Sequence, residues 1–140
     1  MTALLDTGIV YAYYDRRDDW HSASYKFISS EVNLIIPSPV IPEVDYLLGK
    51  RLGFDAQAVF YRSLVEGVFN VVDLTPGRYA RIAEINLKYN DLRLGFVDLA
   101  ILALAEHLNI GRIATTDRRH FGAVQLTISL KLVPDAPRTR

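Results

Sequence analysis

The chain opens Thr2-Ala3-Leu4-Leu5-Asp6-Thr7-Gly8, followed from Ile9 to Tyr14 by apolar residues at helical spacing. A short apolar run with no polar alternation reads as a strand buried on both faces, and Asp6 to Gly8 as the turn into a helix. The rest of the chain repeats this rhythm. Beyond the charged link Asp15-Arg16-Arg17-Asp18-Asp19, Trp20 to Ser30 carries Ala23, Phe27 and Ile28 at helical spacing, and Asn33-Leu34-Ile35-Ile36 is a second strand closed by Pro37. Pro42 suits the first position of a helix that stops near Gly53, and another helix is predicted from Asp55 to Val65. Phe69-Asn70-Val71-Val72 is a third strand, and Thr75-Pro76 opens a helix through Tyr89. The most apolar helix, Phe96 to Leu108, ends at Asn109 and Gly111. Arg112 to Thr116 supplies a fourth strand, and Leu126 to Val133 holds one more. Strands separated by helices predict an α/β fold, with a central parallel sheet of about five strands covered on both faces in a three-layer α/β/α sandwich.

With 140 residues, half of them hydrophobic, the chain has the length and apolar content of one domain with a sizeable core. Residues 1–133 are expected to form that domain, and the Pro- and Arg-bearing stretch 134–140 a flexible basic tail. Sixteen Lys and Arg balance sixteen Asp and Glu, which excludes a polycation that holds nucleic acid by bulk charge. The absence of Cys excludes a disulfide framework, a thiolate zinc site and a Cys nucleophile, and His21, His107 and His120 lie far apart in sequence. No apolar run reaches the roughly 18 to 20 residues that span a bilayer. No basic residue precedes the first apolar stretch, and Asp6 interrupts it early, so a cytoplasmic protein without a leader is expected.

Four carboxylates stand out by position: Asp6, Glu43, Asp98 and Asp117. Ligands of open parallel sheets bind outside the carboxyl ends of the strands, where the strand order reverses, and Asp6 and Asp117 each follow a predicted strand. Glu43 and Asp98 fall in the first turns of predicted helices that can point at the same edge. Each acid also has a purely structural account: Asp6 and Asp117 as caps, Glu43 as a partner of the helix dipole. Asp98 resists that account, because it shares a helix face with Leu94, Ile101, Leu102 and Ala105 and needs a donor, a cation or a wet cleft. If the four converge, their repulsion calls for a cation, and oxygen ligands favour Mg²⁺ or Mn²⁺ over Zn²⁺. One divalent ion would halve the quartet's formal charge and two would cancel it. Metal-assisted phosphodiester hydrolysis is the reaction class such a pocket serves.

Taken together, Leu5-Asp6-Thr7, Pro42-Glu43, Gly95-Phe96-Val97-Asp98 and Thr115-Thr116-Asp117-Arg118-Arg119-His120-Phe121 resemble the PIN-domain nucleases, in particular VapC-type toxins. The resemblance covers nearly the whole chain and implies a PIN-like fold. The family's acidic quartet carries over onto Asp6, Glu43, Asp98 and Asp117, as catalytic and metal-holding residues, and its hydroxyl near the last acid onto Thr115. The resemblance further implies a Mg²⁺- or Mn²⁺-dependent endoribonuclease, usually a homodimer, silenced by a small antitoxin. Glu43 stands as ligand or water-orienting base. Many relatives carry a hydroxyl two residues after the first acid, where this chain has Gly8.

Other features carry less. Arg118, Arg119 and His120 fit a phosphate contact or a solvated charge run. Tyr11, Tyr13 and Tyr14 fit base stacking, or core and dimer contacts. His107 suits the end of its helix. Two other function classes remain: a PIN-like RNA-binding or interaction module with weak or no catalysis, and a phosphotransfer domain with an aspartyl nucleophile. The latter lacks a second Asp two residues after Asp6 and a Lys after the fourth strand.

Overall fold

Thr2–Leu5 forms β1, the middle strand of a five-stranded sheet, and Ala3, Leu4 and Leu5 are fully buried in it. The computed structural model describes residues 1–31 and 33–137. After β1 come α1 (Thr7–Tyr14), α2 (His21–Ser30), β2 (Asn33–Pro37), α3 (Val40–Arg51), α4 (Phe54–Val65), β3 (Asn70–Val72) and α5 (Pro76–Lys88). The chain continues through α6 (Phe96–Leu108), β4 (Arg112–Ala114), α7 (Arg118–Gly122) and β5 (Lys131–Val133). All four strand pairings are parallel, in the order β3-β2-β1-β4-β5. Ala3 lies opposite Leu34 on one side of β1, and Leu4 opposite Ile113 on the other.

The chain walks outward from β1 to β3, then crosses back to β4 and β5, so the order reverses between β1 and β4. Parallel crossovers are right-handed, which sets α1 to α4 on one face of the sheet and α5 and α6 on the other. The packing agrees: α1 lies against α2 and α3, α3 against α4, and α5 against α6. The α/β sandwich expected from the sequence is therefore present. Buried from Leu99 through Ala105, α6 explains why its sequence is apolar almost all round. Among the described residues no helix is long and apolar enough to cross a membrane.

Several boundaries differ from the sequence expectation. Helix α3 starts at Val40, so Pro42 is its third residue, where the missing N–H has no intrahelical partner to lose. Strand β4 ends at Ala114, and β5 is confined to Lys131–Val133 because the preceding residues run as a loop. Thr75 stands at the N-cap of α5 without a side-chain hydrogen bond. The sequence reading has no counterpart of α7, five residues being too few to display a helical period. Of the tail, 134–137 carries no helix or strand, and Arg138, Thr139 and Arg140 lie outside the described residues.

Candidate active site

Asp6 leaves β1 as its pairing with β4 ends, its N–H donating to the Ala114 carbonyl at 2.9 Å. Its Oδ1 accepts from the Thr7 N–H at 2.7 Å, capping α1, and its Oδ2 accepts from the Thr115 hydroxyl at 2.8 Å. Thr115 is fully buried, and its Oγ1 also accepts the Asp117 N–H at 2.8 Å. One hydroxyl thus acts as donor to the first acid and acceptor from the backbone of the last, joining the ends of β1 and β4. Burial pushes the Asp6 carboxyl above its ordinary range against the pull of these hydrogen bonds, with the charges of Asp117 and Glu43 adding to the rise. Asp6 is a cap and a member of the acidic group at once.

Asp117 is the N-cap of α7, where its Oδ1 accepts the His120 N–H at 3.2 Å and its Oδ2 stands 2.8 Å from His120 Nδ1. Asp98 is the third residue of α6 and has no hydrogen-bond partner among the described residues. A helix N-terminus favours an anion, yet burial, followed by the charges of Asp6, Asp117 and Glu43, pushes its carboxyl up to about 7. Glu43, in the first turn of α3, is exposed at the mouth, and its Oε1 accepts from the Thr7 hydroxyl at 2.6 Å. Beside it opens a cleft of about 190 Å³ lined by Thr7, Glu43, Tyr46 and Leu47.

All four acids therefore meet at the strand-order reversal, though unequally. The tightest group comprises Asp98, Asp117 and His120, each offering a ligand atom within 4.8 Å of the others. Asp6 and Glu43 flank that group. Sequence reasoning left His120 off the site; the three-residue spacing from Asp117, which shares one helical face, was the available signal. Its neighbours go elsewhere. Arg118 donates to the Leu132 carbonyl at 3.1 Å and covers the Trp20 ring, while Arg119 is exposed. The tyrosines take structural places as well: the Tyr11 hydroxyl donates to Asp15, Tyr14 to Ser63, and Tyr13 stacks on Tyr25. At Gly8, a Cβ would collide with Thr116 Oγ1, so the hydroxyl of Thr116 already fills the space that a side chain at 8 would enter.

A model of the PIN domain matches residues 3–125. The chain belongs to the PIN-domain family. It is 34% identical over 123 residues to Ribonuclease VapC26 of Mycobacterium tuberculosis (strain ATCC 25618 / H37Rv), spanning 87% of this chain and 91% of that protein. Two solved structures share the fold. VapC20 of Mycobacterium tuberculosis, a sarcin-ricin loop cleaving toxin, has a TM-score of 0.80 at 18% identity, over 92% of this chain and 99% of its own. VapBC2 of Rickettsia felis, bound to a DNA fragment from its promoter, has a TM-score of 0.72 at 17% identity, over 96% and 100%.

The donor set of this PIN domain fits a divalent cation. Carboxylate oxygens of Asp98 and Asp117 and one imidazole lie within 4.8 Å of one another. No Lys or Arg forms an ion pair with any of the four acids among the described residues. Asp6 keeps free lone pairs beyond its two hydrogen bonds, because a carboxylate offers about four acceptor positions.

Proposed function

We propose that this PIN domain is a Mg²⁺- or Mn²⁺-dependent endoribonuclease that hydrolyses RNA phosphodiester bonds as the toxin of a toxin–antitoxin pair. The observation that carries this reading is Asp98, a half-buried carboxylate facing three further acids with no Lys or Arg paired to any of them. A fold that gathers like charges at a ligand-binding edge destabilises itself unless a cation joins them. The names of the relatives support the same activity.

Asp6, Asp98 and Asp117 would hold the cation in this reading, where it would supply positive charge for activating a water and steadying the leaving oxygen. Thr115 keeps Asp6 and Asp117 at a fixed separation through its shared hydroxyl. Glu43, at the exposed rim and tethered by Thr7, is ligand or base toward the incoming water. Water would attack phosphorus as one P–O ester bond breaks; the water's proton would leave by way of Glu43 at the rim, and the departing oxygen would take up a proton from solvent. RNA reaches the edge from the Glu43 side. A small antitoxin and a second copy of the chain are the expected protein partners, and the cytoplasm the place of action.

The test is RNA cleavage in Mg²⁺ or Mn²⁺, with chelator and Asp98→Asn as controls. Cleavage that needs the metal and disappears in the folded variant supports the reading. Cleavage by Asp98→Asn at the wild-type rate overturns it, and RNA binding without any cleavage points to the non-catalytic module.

A further inference from the structure

We propose that His120 gives a ring nitrogen directly to the divalent cation of this site, making a mixed nitrogen–oxygen centre that favours Mn²⁺ over Mg²⁺. The inference rests on the metal-dependent reading above and adds a residue to it. His120 Nδ1 and Asp117 Oδ2 stand 2.8 Å apart. Adjacent ligands of an octahedral ion with bonds of about 2.1 Å stand about 3 Å apart, so the same spacing serves a hydrogen bond without the ion and two bonds to the ion with it. A cation can replace the shared proton with almost no movement of either side chain.

The backbone holds the ring in place for this. The His120 N–H donates to Asp117 Oδ1 at 3.2 Å, and its carbonyl accepts from the Ala123 N–H at 3.2 Å. Asp98 arrives from a different element, α6, and completes the set within 4.8 Å. Neither adjacent arginine competes for the role. Arg118 is committed to the Leu132 carbonyl and Trp20, and Arg119 is exposed without a salt bridge among the described residues. Mg²⁺ takes oxygen ligands by preference, whereas imidazole raises the affinity of first-row transition ions, which sets the direction of the selectivity.

The experiment uses the full chain loaded with Mn²⁺ and reads nitrogen coupling by pulsed electron paramagnetic resonance, with Mn²⁺ and Mg²⁺ affinities by calorimetry. The other two imidazoles are remote: His21 Nδ1 lies against the Ala12 carbonyl, and His107 is at the far end of α6. The expected result is coupling to one imidazole that vanishes in His120→Ala, with Mn²⁺ affinity falling about 10- to 100-fold and Mg²⁺ affinity far less. Asp117 keeps its cap in that variant, because the donor is the backbone N–H of residue 120. His120→Gln leaves a hydrogen-bond donor beside Asp117, so a residue that only positioned Asp117 would tolerate it. Bound Mn²⁺ without nitrogen coupling, coupling that persists in His120→Ala, or wild-type Mn²⁺ affinity in His120→Gln each overturns the assignment of His120 while leaving the nuclease reading standing. A protein that binds neither ion overturns both.

Discussion

At the amino end of the strands, Glu31 meets Arg112 Nη2 at 2.7 Å and the N-terminal ammonium at 3.6 Å, whereas at the carboxyl end Asp6, Glu43, Asp98 and Asp117 have no Lys or Arg partner among the described residues and Asp98 feels the charges of the other three. Arg112 begins β4 and Glu31 is the C-cap of α2 just ahead of β2, so this pair closes the same sheet edge from two elements. Its guanidinium holds the Glu31 carboxyl below the usual range, while burial and like charges push Asp98 up to about 7. The chemistry of the acids is the same at both ends; the difference is the partner. An acid with a cation built into the chain is part of the scaffold. Acids gathered without one form a place for a cation from outside, and the stability that repulsion removes is what a bound ion can restore.

That contrast is tested most severely at Asp98. Asp98→Asn is expected to lower RNA cleavage by about 10³-fold, since the lost stabilisation of developing charge amounts to several kcal/mol. The same substitution should raise the melting temperature of the metal-free protein, because it removes a desolvated charge and keeps the shape. A lower melting temperature would mean that Asp98 has a stabilising partner at this edge, and the contrast between edges would fail.

The pH dependence has its origin in the same residue. The folded-state value of Asp98, about 7, lies above its ordinary 3.8, so the native chain keeps a proton that the unfolded chain releases. This contribution is complete below about pH 3.8 and is lost as the pH rises through 7. Chelated protein should therefore lose about 2 kcal/mol between pH 4 and 8, allowing for partial contact with water. Chemical denaturation across that range measures it; Mg²⁺ at pH 8 should recover the loss, and Asp98→Asn should reduce it while the raised Asp6 carboxyl keeps a dependence of the same sign.

The acids of the carboxyl edge were legible in the sequence because Asp6 and Asp117 follow apolar strands while Glu43 and Asp98 fall in the first turns of helices. Asp6 could be placed from the apolar run before it, and Asp98 from the apolar face it shares with Ile101 and Leu102. Thr115 entered only through family resemblance, and its shared hydrogen bonds to Asp6 and Asp117 are a tertiary fact with no local pattern. His120 is hidden in a charge run, where its three-residue spacing from Asp117 is all that separates it from Arg118 and Arg119. The amino edge was illegible: Glu31 and Arg112 are 81 residues apart. Alternating strands and helices reveal the layers, but they do not reveal which distant charges meet.

The amino edge should be sensitive to loss of its cation. Arg112→Ala removes both the Glu31 pair and the donor to the Thr2 carbonyl, leaving a mostly buried carboxylate without its guanidinium. A loss of about 1 to 2 kcal/mol is expected at pH 7, with cleavage per folded molecule unchanged. Adding Glu31→Gln should return part of that stability. If the double variant is as unstable as the single, the cost lies in the Thr2 contact and not in the unpaired acid.

The smallest effect is expected on the same helix as Asp98, two turns on. Glu106 accepts from Arg81 Nε at 2.6 Å and Nη2 at 3.0 Å, and from the Thr127 N–H and hydroxyl at 3.0 Å each. Arg81 foremost, helped by Thr127, holds its carboxyl down to about 2. The sign is opposite to that at Asp98: the contribution is complete above the ordinary 4.5 and is lost as the pH falls through about 2. Glu106→Gln should cost about 1 kcal/mol at pH 7, because its amide cannot accept all four hydrogen bonds, and progressively less as the pH falls toward 2. Denaturation of both proteins from pH 2 to pH 7 checks this, and parallel curves would show that Glu106 acts through packing alone. Converging curves would show that the Glu106 carboxylate acts through its charge on Arg81, the opposite in linkage of the unpaired Asp98 on the same helix.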